Sequence, residues 1–422
     1  MNMVEKILAK ASGREKVEPG EVVVADVDCL LLHTLSGYLT SRVFEEEVKL
    51  PMRYPERVVM VFDHHFSPPT EERARILEEN RAFARRHGVH LFDCGSGNIH
   101  HVGVRNGFVR PGTVVVGSDS HTPVHGTLGC FATGLGNNAH AGMVMPFGKA
   151  WFRVPETVRV ELTGTLRPGT TPRDVALHLT GQIGEGGAVY KALAFTGPFI
   201  EGLEVWDRWL FPLITIDVGA KCAFVEPDAK TVAFAKSMTD TPFDVVTSDS
   251  ADECTAIWEY DVSELEPQVA ASPTLGNVGP VTGFDGRPVQ WAELGGHGGG
   301  RIEDIRQAAE LLRGRHIADG VKFNVVPSSR EVFAQACREG LVEALHLAGC
   351  TWFPPSTGSN QAINMGAMSS TEAMVSTHAR NFPGRNGSPD AVMYLGSAAT
   401  VAASALRGAI ADPRSVLGKE AS

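Results

Sequence analysis

The chain has 422 residues, of which 43% are hydrophobic and 21% charged, and 49 Asp and Glu against 38 Lys and Arg give it a net charge of −11. These values are ordinary for a globular protein of several domains and exclude a disordered chain, a collagen and a coiled coil. We expect no nucleic-acid binding from an acidic chain without a basic run, and no membrane span, because no apolar run approaches roughly 18 residues. The seven scattered cysteines include no CxxC pair, which favours free thiols in a reducing cytoplasm.

Alternating strands and helices are predicted in the first part of the chain. Three apolar runs are typical of buried strands, at residues 21–26, 56–62 and 113–117. Residues 69–87 mix charged and apolar side chains with the spacing of an amphipathic helix. This alternation predicts an α/β fold.

Polar residues follow two of these strands, where open α/β sheets bind their ligands. A carboxylate beside an imidazole suits proton transfer near neutral pH. Ordinary turn and cap residues are the alternative interpretation. Ser120 also raises the question of a hydrolase triad, but neighbouring residues of an extended chain point to opposite faces, which argues against it. The candidate acid–base residues are Asp63, His64, His100, Asp119, Ser120 and His121.

Two further units are predicted after residue 155. The first begins with a strand at 157–162 and a helix that starts at Thr171-Pro172. The second contains a glycine loop at 295–300, followed by a helix at 302–313. Such a loop either cradles an anion with its free N–H groups or is a flexible turn. Arg380 and Arg385 flank a short loop in which two guanidinium groups could hold carboxylates, with a solvated surface loop as the alternative.

Several long segments of the sequence resemble the aconitase superfamily, and most of all the large subunits of 3-isopropylmalate dehydratase and homoaconitase. The similarity extends from about residue 4 to residue 418. It is clearest at Asp63-His64, at 117–136, in the stretches LRPGTTPRDVALHLTGQIG and YKALAFTGPFIEGL, and at 380–414.

The resemblance implies an aconitase-like α/β fold with three α/β/α domains around a central cleft. We place these domains at residues 1–154, 155–275 and 276–422. It also implies a lyase or isomerase of the hydro-lyase type, which acts on a small di- or tricarboxylate-like acid. Arg380 and Arg385 would bind the carboxylate. A separate small subunit, of the swivelling-domain type, is the expected partner.

The resemblance further implies a [4Fe–4S] cluster on three cysteines, and here the sequence departs from the family. His297 stands where the first cysteine is expected, Cys350 matches the second, and no cysteine follows residue 350. Because such clusters take thiolate at nearly every protein-held corner, we expect no intact cluster. Two alternatives stay open: no metal at all, or a mononuclear Fe²⁺ or Zn²⁺ on His297 and Cys350.

Two other positions differ from the family, while the acid–base groups and both arginines are present. Asp217 stands where a longer glutamate is expected, and Ala379 replaces an asparagine. We therefore predict an enzyme that works by acid–base chemistry, with Asp217 among its catalytic residues. The alternatives are a catalytically inert subunit that binds a carboxylate, and an ordinary 3-isopropylmalate dehydratase large subunit.

Overall fold

The computed structural model describes residues 1–136, 138–250, 253–362 and 364–417. Its N-terminal part is built on a five-stranded parallel sheet with the order β4-β3-β2-β5-β6. In chain order the elements of this part are α1 (Met3–Ala11), β1 (Val22–Asp26), β2 (Cys29–His33), α2 (Thr34–Arg42), β3 (Val58–Val61), α3 (Glu71–His87), β4 (His90–Phe92), α4 (Ile99–Arg105), β5 (Val114–Gly117), β6 (Phe131–Gly134), α5 (Asn138–Phe147) and β7 (Lys149–Arg153).

The central strands of this sheet are short apolar runs because helices cover both of their faces. Every residue of β3 and of β5 is buried, as is typical of parallel sheets. The strand predicted at 21–26 is different. It forms β1, which pairs with β7 in a separate antiparallel ribbon and exposes every second residue. The prediction of a buried strand at 21–26 was therefore wrong for one face of β1, which is exposed.

The second part of the chain forms a four-stranded parallel sheet with the order β10-β9-β8-β11. A capping box at Thr171 and Asp174 starts its main helix, as the Thr-Pro signal predicted. The elements are β8 (Thr157–Thr163), α6 (Pro172–Ile183), β9 (Ala192–Thr196), α7 (Pro198–Gly202), α8 (Val205–Arg208), α9 (Leu210–Leu213), β10 (Cys222–Phe224), α10 (Ala229–Met238) and β11 (Ala256–Asp261).

The third part forms a seven-stranded sheet with the order β13-β12-β18-β17-β14-β15-β16, in which β12 runs antiparallel to its neighbours. Because β12 pairs with β18, the third unit begins before the boundary at residue 276 that we expected from the sequence. The elements are β12 (Gln268–Ala271), β13 (Val278–Pro280), β14 (Trp291–Leu294), α11 (Ile302–Leu312), β15 (Lys322–Val325), α12 (Arg330–Arg338), α13 (Leu341–Leu347), β16 (Thr351–Trp352), β17 (Ala373–Ser376), β18 (Val392–Leu395) and α14 (Ala398–Arg407).

The helices pack on the sheets through continuous apolar clusters, of which the largest belong to the first and third sheets. A smaller cluster brings together residues of all three parts, among them Val61, Trp209 and Ala379. No helix of the described residues is long and apolar enough to cross a membrane.

Candidate active site

The candidate site lies where the carboxyl ends of strands from the first and third sheets face each other. Asp63 and His64 follow β3, and Asp119 and His121 follow β5. The glycine loop with His297 follows β14. Loops at the carboxyl ends of parallel strands are where α/β proteins place ligands, and these three loops meet at Asp119, which lies within ion-pair distance of both His64 and His297.

Asp119 is the centre of this cluster and is buried. Its Oδ1 lies 3.1 Å from His100 Nε2 and accepts the backbone N–H of His121 at 2.7 Å. Its Oδ2 lies 3.6 Å from His297 Nε2 and 3.8 Å from His64 Nε2. Burial opposes ionisation of this carboxyl, but the neighbouring His297, His100 and His121 hold its pKa well below the ordinary range. Asp119 is therefore an anion surrounded by four imidazole rings.

Asp63 and His64 form the second acid–imidazole pair. His64 Nδ1 lies 2.8 Å from Asp63 Oδ1, and Asp63 Oδ2 accepts the backbone N–H of Ile99 at 2.9 Å. Burial works against a charged imidazole, but Asp63 and Asp119 outweigh it and raise the pKa of His64. The contact with Asp63 thus shifts His64 towards the protonated form.

Two other rings are shifted in the opposite direction. Burial lowers the pKa of His121, and it lowers the pKa of His297 well below the ordinary histidine value. The two rings stack with centroids 4.7 Å apart. Neither Nε2 atom has a hydrogen-bond partner among the described residues. The cluster therefore holds rings whose pKa values are lowered close to a ring whose pKa is raised, which is the arrangement that separates acid and base roles.

The two arginines predicted to bind carboxylate have different surroundings. Arg380 Nε donates to Asp217 Oδ1 at 3.2 Å. Burial raises the pKa of Asp217 despite the nearby His121 and Arg380. Arg385 is half-buried and makes no ion pair among the described residues. Burial and Arg380 lower the pKa of Arg385 to about 10. A desolvated guanidinium without a carboxylate partner is a ready site for an anionic group.

Groups from all three parts of the chain hold the glycine loop. Asn98 Nδ2 donates to the Gly296 carbonyl at 3.2 Å, and Trp209 Nε1 donates to the His297 carbonyl at 3.4 Å. Thr377 Oγ1 accepts the Gly295 N–H at 2.9 Å and donates to the Gly295 carbonyl at 3.0 Å. His297 is therefore fixed in place, and the loop is not the flexible turn that the sequence left as an alternative.

Two of the predicted site residues, Ser120 and Cys350, do not have the place in this arrangement that the sequence suggested. Ser120 Oγ lies 3.5 Å from His121 Nδ1, at the limit of a hydrogen bond. Cys350 precedes the edge strand β16 and is buried in the apolar core of the third sheet. β15 separates β16 from β14, whose carboxyl end carries His297. Cys350 and His297 therefore do not form the shared metal site that we considered from the sequence.

Sequence reasoning missed several polar residues of the site. Glu293 and His378 form a buried pair beneath the glycine loop, with His378 Nε2 2.8 Å from Glu293 Oε1. A carboxylate inside the otherwise apolar strand β14 was a signal that could have been used. His33 stacks on His64 at 4.2 Å, and His125 Nε2 lies 3.3 Å from His100 Nδ1.

With this geometry established, comparisons with known proteins identify the family. A family model described as the Aconitase family (aconitate hydratase) matches residues 52–288 and 274–408. The chain is 40% identical, over 417 residues and 99% of each chain, to a probable 3-isopropylmalate dehydratase large subunit of Methanothermobacter thermautotrophicus. It is also 40% identical, over 423 residues and 99% of each chain, to a probable methanogen homoaconitase large subunit of the same organism.

The chain belongs to the aconitase family. Among solved structures, the holo-form of Thermococcus kodakaraensis aconitase X shares this fold with a TM-score of 0.51 and 12% identity, over 89% of each chain. The predicted aconitase-like α/β fold with three domains around a cleft is therefore confirmed. The prediction of an enzyme of the hydro-lyase class is also confirmed, because the relatives are dehydratase and homoaconitase large subunits.

Membership of the aconitase family overturns the cofactor that we expected from the sequence. Dehydratase large subunits of this family normally bind a [4Fe–4S] cluster. The expectation of a protein without an intact cluster, with no metal or a mononuclear Fe²⁺ or Zn²⁺ instead, is therefore wrong on the evidence of the family. The cofactor to which the family points is the iron–sulfur cluster.

The described residues around His297 do not match the usual ligands of such a cluster. A [4Fe–4S] cluster is held by cysteine thiolates, whereas the segment 356–360 beside the glycine loop offers hydroxyl and amide groups. Two sets of three ligand atoms lie within 4.8 Å of one another in the described part of the chain, and both consist of imidazole and carboxylate: His33, His64 and Asp119, and His100, Asp119 and His297.

Proposed function

We propose that the chain is the large subunit of a hydro-lyase that removes water from, or adds it to, a small hydroxy di- or tricarboxylate. The observation that carries the proposal is one arrangement of charges. Arg385, which has no carboxylate partner among the described residues, lies beside a cluster in which the pKa of His64 is raised and the pKa of His121 is lowered. Carboxylate binding and proton transfer in both directions are what the dehydration of a hydroxy acid requires.

Arg385 is the group that we assign to the substrate carboxylate. Its fixed fork of N–H donors matches the two oxygens of a carboxylate. The charges of Arg380, Asp119 and Asp217 all act on the pKa of Arg385, which supports one shared region for the four groups. A substrate carboxylate held there places the adjacent carbon atoms near the histidine cluster.

The opposite pKa shifts assign the proton-transfer roles. Loss of water needs a base that takes the proton from the carbon next to a carboxylate, and an acid that protonates the leaving hydroxyl group. His64, charged through its contact with Asp63, is the acid. His121, whose pKa is lowered by burial, is the base, and its Nε2, which has no hydrogen-bond partner among the described residues, is the atom that accepts the proton. Asp119 stabilises the imidazolium that results, since it lies 3.5 Å from His121 Nδ1.

The relatives also support a partner for this chain. The proteins from Methanothermobacter, Methanopyrus and Aquifex that it resembles are each named as a large subunit. We therefore propose that a small subunit of the swivelling-domain type completes the cleft. A covered cleft would strengthen the interaction of Arg385 with the substrate, because charges attract more strongly where water is excluded.

The test is turnover of 3-isopropylmalate and of a homologous hydroxy tricarboxylate by the anaerobically purified chain, alone and with a small subunit. We expect formation of the unsaturated acid, greatest with the small subunit, and its loss in the His64→Gln variant. The His87→Gln variant, altered in a histidine–glutamate pair away from the site, should retain activity. Carboxylate binding without turnover of any of these acids would instead identify an inert carboxylate-binding subunit.

A further inference from the structure

The pair formed by Glu293 and His378 has no role in the proposed proton transfers or in the proposed binding of the carboxylate. Both side chains are buried, and the residues lie 85 positions apart in the chain. Glu293 belongs to β14, directly before the glycine loop, and His378 follows β17, directly before the arginine loop. Although burial alone would raise it, the pKa of Glu293 is lowered by His378 and by the N–H group of Ser359.

The pair is connected to both ends of the loop that carries the two arginines. His378 precedes Arg380 by two residues. At the other end, Glu293 Oε1 accepts the backbone N–H of Ser359 at 2.9 Å, and Ser359 Oγ accepts from Asn386 Nδ2 at 2.9 Å. Asn386 directly follows Arg385. The Glu293 carboxylate therefore anchors the arginine loop on each side through hydrogen bonds.

The same pair lies very close to one glycine in each of the two neighbouring loops. A Cβ atom at Gly296, where φ is +82°, would lie 3.0 Å from His378 Cα and Cδ2. A Cβ atom at Gly358, where φ is +76°, would lie 2.3 Å from Glu293 Oε1. Glycine suits both positions because the backbone is left-handed and approaches the pair closely. Gly296 immediately precedes His297, so the pair also fixes the position of the backbone from which the His297 side chain extends.

We infer that Glu293 and His378 are positioning residues, which fix the glycine loop with His297 and the arginine loop with Arg380 and Arg385 relative to each other. A buried ionic or polar pair is a costly way to gain stability, and its directional bonds define geometry where apolar packing would not. The inference rests on the proposed function, because the loops matter together only if they serve one substrate.

Hydrogen–deuterium exchange tests this inference without reference to turnover. In Glu293→Gln and in His378→Leu, we expect exchange on the order of tenfold faster in residues 295–300 and 377–386. His378→Gln should restore most of the protection, because its amide nitrogen can donate to Glu293 as Nε2 does. The matched control is His87→Gln, which breaks a His–Glu contact of the same 2.8 Å length on α3. Equal exchange in the two loops of the pair variants and the control would overturn the inference.

The binding of malonate, measured by calorimetry, provides a second readout. We expect it to be on the order of ten to a hundred times weaker in His378→Leu, because a shift of about 1 Å in a positioned group, caused by a distant substitution, can cost a factor of about 10². If the single variants do not fold, Glu293→Met combined with His378→Leu replaces both partners by apolar groups and should fold. Normal malonate affinity in that folded double variant would contradict the inference. If the wild-type chain binds no dicarboxylate, the proposed function fails, while the exchange rates still decide whether the pair positions the loops.

Discussion

Arg380 and Asp217 form an ion pair across two parts of the chain, with Arg380 Nε 3.2 Å from Asp217 Oδ1. The pair makes the two arginines of the loop unequal. A substrate carboxylate that approaches Arg380 has to compete with Asp217, whereas Arg385 has no carboxylate partner among the described residues.

Replacement of Arg385 by lysine should weaken the binding of a dicarboxylate by about 1–3 kcal/mol, because lysine keeps the charge but loses the two-pronged donor. The same change at Arg380 should cost less, since part of that guanidinium already serves Asp217. Calorimetry with malonate measures both affinities. A larger loss at Arg380 than at Arg385 would mean that the substrate displaces Asp217 instead of using the free arginine.

Replacement of Asp217 by asparagine should have the opposite effect on dicarboxylate binding. It removes a carboxylate that competes for Arg380, and we expect malonate to bind up to about 1 kcal/mol more tightly, as for a partly exposed ion pair. The Asp228→Asn variant removes a carboxylate paired to Arg208, outside the site, and serves as the control. Weaker binding in Asp217→Asn would mean that Asp217 helps to hold the substrate instead of competing with it for Arg380.

The acid role of His64 predicts how activity depends on pH. His64→Gln should lower kcat by about 10²–10⁴-fold, the usual contribution of a positioned acid. Because the pKa of His64 is raised mainly through Asp63, activity should fall as pH rises through that pKa. In Asp63→Asn this alkaline decline should move to lower pH. A pH profile of kcat/KM that is identical in wild type and Asp63→Asn would exclude His64 as the acid.

The position of most site residues could be predicted because strand ends are a local property of the sequence. An apolar run shows where a parallel strand stops, and the polar residues that follow must lie at the same edge of the sheet. That reasoning found Asp63, Asp119 and their histidines. The arginine loop was suggested by its two guanidinium groups and then by its resemblance to the family. All of them lie close together in the structure.

The remaining features depend on contacts that no local pattern records. Glu293 and His378 are far apart in the chain, and only the pairing of β14 with β17 brings them together. Cys350 was matched to the second cysteine of the family, but the segment that reaches the glycine loop is 356–360. The cofactor expectation failed because it was drawn from cysteine positions alone, against the evidence of the whole family.

The buried histidines predict that the protein loses stability in mild acid. His65 is fully buried, neither of its ring nitrogens has a hydrogen-bond partner among the described residues, and burial lowers its pKa from 6.5 to about 4. Burial also lowers the pKa of His33 to about 3, and the pKa values of His101 and His125 well below the ordinary value. Below pH 6.5 the unfolded chain therefore binds protons that the folded chain does not.

The sign of the effect follows from this difference in bound protons. Each such histidine lowers the free energy of unfolding as the pH falls below its unfolded pKa, by about 2 kcal/mol between pH 6.5 and pH 5 for a group like His65. His64 acts in the opposite sense, because its raised pKa adds stability below pH 6.5 that is lost as the pH rises. The lowered histidines outnumber it, so Tm should fall clearly from pH 7 to pH 5 in calorimetry. His65→Leu should make that fall smaller, and a Tm that is equal at the two pH values would show that these rings take up protons in the folded chain.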